Sequence, residues 1–69
     1  MKDKILNSIK DYRKSAGLTQ EDLASAMGVS RQTIISIERG KYIPSLPLAI
    51  KMARFFGSST DDMFQLEEK

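Results

Sequence analysis

The chain has 69 residues, 41% hydrophobic and 29% charged, the balance of one small globular domain. It contains no Cys and no His, which removes disulfides, thiolate and imidazole metal sites, Cys nucleophiles and every His-based triad. The net charge of +2 hides an asymmetry: residues 1–57 carry 10 Lys/Arg against 5 Asp/Glu, whereas residues 58–69 carry one Lys against four acids, so the basic body suits a polyanionic partner.

In chain order, Lys4–Leu6 before the first helix is ambiguous and can be read as a short extended stretch. Five helices are then expected, over about 8–16, 20–27, 31–39, 46–56 and 60–65. Gly17, Gly28, Gly40 and Gly57 follow the first four, where a left-handed residue ends a helix. Thr19, Ser30, Ser45 and Ser59 open the last four as N-caps, and Ser8 opens the first. Thr19 with Asp22, Ser59 with Asp62 and Ser8 with Asp11 form short-armed capping boxes. Pro47 falls in the first turn of the fourth helix, where its missing N–H costs little.

Apolar spacing supplies the core. Ile9, Tyr12 and Ala16 mark the first helix, Leu23, Ala24 and Met27 the second, Ile34 and Ile37 the third. Leu46, Ala49, Ile50, Ala53 and Phe56 form a broad stripe on the fourth, and Met27, Met52 and Met63 read as core or interface filler. Phe64–Glu67 can extend and pair with Lys4–Leu6 as a small two-stranded ribbon. The fold class is therefore all-α with five helices and, at most, that terminal ribbon.

No apolar run approaches 18 residues and the opening residues are charged, so neither a membrane span nor a signal peptide is expected and the cytoplasm is the expected location. No cofactor, metal or small-molecule ligand is expected. Asp61 and Asp62 are adjacent, diverge by about 100° on a helix and cannot act as a catalytic pair.

The functional signal lies between the second and third helices. They are joined by Gly28-Val29-Ser30, a three-residue turn with Gly first, as in a helix-turn-helix. With Ile34 and Ile37 inward, Gln32, Ile35, Ser36 and Arg39 fall on the far side of the third helix and Arg31 projects from its first turn. Such a stripe offers donors, acceptors and one apolar contact to a major groove.

The segments "LTQEDLA", "VSRQTI" and "IERGK", in that order and followed by "PSL", resemble the Cro/CI-type (lambda-repressor-like, XRE) helix-turn-helix family over about residues 8–66. The resemblance implies one DNA-binding domain over residues 1–69 and double-stranded DNA as partner. It implies base reading by Arg31, Gln32 and Ser36, with Ile35 on the same face. Gln20 matches a glutamine that contacts phosphate and braces the recognition helix. Thr33 and Arg39 match positions near phosphate, and Lys41 and Tyr42 match a loop that grips the backbone. Arg13 and Glu38 match a mostly buried ion pair. Two departures stand out: Ile35 where relatives often carry a polar residue, and Ile43 where they often carry Asn or a base.

A small core also calls for a second subunit. Leu48 and Phe55 lie opposite the expected inward stripe of the fourth helix, and with Met63, Phe64 and Leu66 they form the expected homodimer interface. The function expected is that of a transcriptional regulator, a repressor, on a near-palindromic operator. The alternatives are the antitoxin of a toxin–antitoxin pair and a protein-interaction module that has lost DNA binding. An enzyme is not expected.

Overall fold

A computed structural model describes residues 4–67 of the chain. Residues 1–3 and 68–69, the ends of the expected domain, lie outside the described residues.

The order is β1 (Lys4–Asn7), α1 (Ile9–Ser15), α2 (Gln20–Met27), α3 (Arg31–Glu38), α4 (Leu46–Phe55), α5 (Thr60–Met63) and β2 (Phe64–Glu67). The strands form an antiparallel ribbon in which Ile5 faces Leu66 and Asn7 faces Phe64. The fifth helix is shorter than expected. Phe64 leaves helical space (φ −127°, ψ 131°) because its backbone pairs with Asn7 instead of continuing the turn.

Helix boundaries follow the caps. Thr19 accepts from the Asp22 N–H at 3.0 Å while Asp22 accepts from the Thr19 N–H at 2.9 Å, a complete capping box. Ser30, Ser45 and Ser59 each accept from the N–H three residues on. Ser8 does not cap: its side chain makes no such bond, and Asn7 Oδ1 instead accepts from the Ile9 N–H at 3.3 Å. The pairing of Asn7 in β1 places its amide over the helix start and displaces the expected cap.

At the other end of α3, the Lys41 N–H reaches the Ser36 carbonyl (2.9 Å) and the Gly40 N–H the Ile37 carbonyl (2.9 Å), the paired bonds of a Schellman ending. Gly40 takes φ +75° there and Gly28 takes φ +74° after α2. A side chain at either position would meet its own carbonyl, so glycine sets the direction of both exits.

The core joins all the helices: Ile9, Leu23, Ala24, Met27, Ile34, Ile37, Met52, Ala53 and Met63, with Tyr12, Val29, Leu48, Phe56 and Phe64 packed around it. Three expectations are corrected. Ala16 is exposed, and Arg13 takes the inward position on α1. On α4 the buried arc is Ala49, Met52 and Ala53; Leu46 (69% exposed) and Ile50 face outward, and Leu48 packs on the core. The apolar arc of α4 is wider than half a turn, so periodicity alone leaves its rotation open, and packing against α2 and α5 decides it. Met63 is 0% exposed within the chain, so it is a core residue with no surface to offer a second subunit.

Candidate nucleic-acid interface

The α2–α3 unit is held rigidly from three sides. Arg13 presents Nε to Glu38 Oε2 at 2.7 Å and Nη2 to Glu38 Oε1 at 3.1 Å, while its Nη1 donates to the Leu18 carbonyl at 3.0 Å. The two side chains are 9% and 5% exposed. Gln20 Nε2 donates to the same Glu38 Oε1 at 3.1 Å, so α1, α2 and α3 meet at one carboxylate. Burial is the strongest single influence on Glu38 and pushes its carboxyl upward. The hydrogen bonds from Arg13 and Gln20 and the charges of Arg13 and Lys10 together outweigh it, and Glu38 titrates below its ordinary value. The hydrogen bond to Glu38 raises the Arg13 guanidinium in turn.

Two further bonds fix the neighbouring elements. Lys51 of α4 donates to the Met27 carbonyl at 3.1 Å, satisfying the last turn of α2. Asn7 Nδ2 of the ribbon donates to the Ile37 carbonyl at 2.9 Å and holds the last turn of α3.

On the free side of α3, Arg31, Gln32 and Arg39 are exposed, and Thr33, Ile35 and Ser36 are half-buried. Gln32, Thr33, Ser36 and Tyr42 line one shallow open depression together with Ser30. Tyr42 therefore stands beside the residues expected to read bases, brought there by the Schellman exit. Ser30 is a wall residue that the sequence reading treated only as a cap, and its hydroxyl lies 2.9 Å from that of Thr33. Lys41 is exposed on the loop after α3. Gln20 is half-buried and tied to Glu38, which is a bracing geometry.

The residues expected at a dimer interface are not all together: Phe64 and Leu66 share one ribbon face, whereas Leu48 and Met63 pack inward and Phe55 lies elsewhere, on α4. Phe64 lies in a second, apolar groove lined by Ile5, Ile43, Pro44, Leu46, Ala49, Thr60 and Asp61. Phe55 (46% exposed) packs edge-on against Phe56, its ring centroid 5.0 Å away, on the opposite flank of α4 from Leu46. Leu66 is exposed on the ribbon face that also carries Ile5. The sequence reading missed Ile43 and Leu46 as exposed apolar residues, although Ile43 was visible as a departure from the family pattern.

Among the described residues no group of acidic side chains is placed to hold a metal ion. No helix is long and apolar enough to cross a membrane among them.

Comparison with known proteins places residues 9–63 within the helix-turn-helix family. The HTH-type transcriptional regulator MJ0272 of Methanocaldococcus jannaschii is 60% identical over 62 residues, 90% of this chain and 94% of that protein. The cryptic phage CTXphi transcriptional repressor RstR of Vibrio cholerae is 35% identical over 51 residues, 74% of this chain and 46% of RstR. The crystal structure of the restriction-modification controller protein C.AhdI of Aeromonas hydrophila superposes with a TM-score of 0.71 at 30% identity, covering 78% of this chain and 82% of that one.

Proposed function

This chain belongs to the helix-turn-helix family of transcriptional regulators, and from that we propose that it binds a specific double-stranded DNA operator as a single domain and represses by occupying it. The observation that carries this reading is the outward face of α3. Arg31, Gln32, Ile35 and Ser36 line up there on a helix whose inner side is locked to α1 and α2 by Arg13, Gln20 and Glu38. A rigid helix with that surface fits a major groove.

Arg31 and Gln32 read guanine and adenine edges in this proposal, with Ser36 and Ile35 beside them. The side chains of Gln20, Thr33, Arg39, Lys41 and Tyr42 serve the flanking phosphates in this proposal, and the bonded backbone of the loop presents Lys41 and Tyr42 together. Arg31, Arg39 and Lys41 supply the salt-dependent share of affinity. The similarity to a phage transcriptional repressor supports repression as the mode.

The active species is a homodimer in the cytoplasm. Its contact surface is the groove of Ile43, Leu46 and Phe64, continued by Leu66, with Phe55 on the other flank of α4 as the second candidate. A two-fold axis there sets two recognition helices about 34 Å apart on a near-palindromic site. Selection from a random double-stranded DNA library tests the whole proposal: an enriched near-palindrome is expected, and binding without any enriched sequence rejects it.

A further inference from the structure

With about 100° between successive residues, the direction opposite Ile34 and Ile37 on α3 falls closest to Gln32 and Arg39, and Ile35 and Ser36 stand about 50° to either side of it. The two flanks differ in chemistry. The Ser36 flank is polar, walled by Ser30, Thr33 and Tyr42. The other flank is Ile35, a branched hydrocarbon without donor or acceptor. Ile35 is half-buried, yet it is absent from the hydrophobic core and from the partly buried side chains that pack against it. Arg31 stands one turn before it and Arg39 one turn after, both exposed, and among the described residues neither guanidinium has a carboxylate partner. An aliphatic side chain held between two unpaired cations is poorly placed for stability and well placed for a duplex, where the cations meet phosphate or guanine and the hydrocarbon meets a base edge.

We propose, building on the major-groove reading above, that Ile35 packs on the 5-methyl group of a pyrimidine and makes this chain a methyl-dependent reader at one base pair per half-site. Thymine and 5-methylcytosine present that methyl in the major groove; cytosine presents at the same place only a ring C–H beside its N4 donor. Ile35 satisfies no donor, so an unmethylated polar edge there loses water and gains nothing. The methyl group is hydrophobic surface that Ile35 removes from water.

The test starts from the selected operator and replaces each thymine in turn by deoxyuridine, which deletes only the methyl group. One position per half-site weakens the wild-type protein about fourfold, the value of one buried methyl-sized group. The Ile35→Ser protein binds the thymine and deoxyuridine operators equally, and Ile35→Val retains most of the difference. An enriched operator at which no deoxyuridine weakens the wild type overturns the proposal and leaves the DNA-binding reading standing. The same loss at the same position in wild type and Ile35→Ser overturns it as well. A library that yields no enriched sequence removes the major-groove reading and this proposal with it. The wild-type comparison needs no variant to fold.

Discussion

Gln20 donates its side-chain amide to Glu38 Oε1 across 3.1 Å, so the first residue of α2 is bonded to the last residue of α3. The same oxygen receives Arg13 Nη2, and the other carboxylate oxygen receives Arg13 Nε. The turn between the two helices is thus spanned by side chains as well as by backbone, and the angle of the recognition helix does not depend on Gly28-Val29-Ser30 alone.

Removing the carboxylate charge leaves a buried guanidinium with only the Leu18 carbonyl among its present acceptors. Glu38→Gln is expected to destabilise the fold by about 3–5 kcal/mol, the usual cost of orphaning one member of a buried pair. For a domain of this size that corresponds to a fall in Tm of more than about 12 °C. Thermal melting of the variant within a degree or two of wild type would show that the pair contributes little.

Acid should act through the same group. The folded state holds Glu38 below its ordinary value of 4.5, so its contribution is fully present above that value and is lost as pH falls through the lower folded value. Asp22, bonded by the Thr19 N–H and hydroxyl, is lowered too and adds to the acid sensitivity. Denaturant titrations at about pH 6 and about pH 3 are expected to show a larger drop for wild type than for Glu38→Gln. Equal drops would assign the acid sensitivity to the other carboxylates.

Arg31 and Lys41 are expected to fail differently. Arg31→Ala costs about 1–3 kcal/mol at one guanine position and relaxes preference there, whereas Lys41→Ala weakens all sequences alike and flattens the salt slope by about 1. Binding both variants to a panel of operator mutants at several salt concentrations separates the two. Parallel losses across the panel would mean that the reader and phosphate roles are wrongly divided.

The two apolar flanks of α4 separate two dimers. If the groove is the contact, Leu46→Glu yields a monomer by sedimentation and a far weaker grip on a full operator, because the second half-site is no longer tethered. Phe55→Glu then stays dimeric. The reverse pattern moves the interface to Phe55, and a wild type that sediments as a monomer at tens of micromolar removes the dimer and the palindrome together.

Local chemistry made most of the helices legible. The Thr19–Asp22 box and Gly28 bracket α2 within the sequence itself, and Ile34 with Ile37 fixes the rotation of α3. What escaped depended on distant partners. Ser8 looks like a cap until Asn7, paired with Phe64, supplies the oxygen instead. Met63 reads as core or interface filler, and only its packing with the other helices assigns it to the core. The outward stripe of α3 was readable because its inner side is narrow, and the rotation of α4 was not because nearly all of its circumference is apolar. Tyr42 could be assigned to the backbone-gripping loop, but its position against Ser36 follows from the backbone bonds after Glu38, which no residue pattern displays.

The ribbon joins two segments far apart in the sequence, Lys4–Asn7 and Phe64–Glu67, and this bears on the order of folding. The contacts between α2 and α3 span few residues and close cheaply, whereas pairing Lys4–Asn7 with Phe64–Glu67 closes nearly the whole chain as a loop. During synthesis β1 is made before β2 and has no strand to join until β2 follows it. The Asn7 bond to the Ile37 carbonyl waits with it. The ribbon is accordingly expected to form last and open first, with its amides exchanging with solvent ahead of those in α2 and α3.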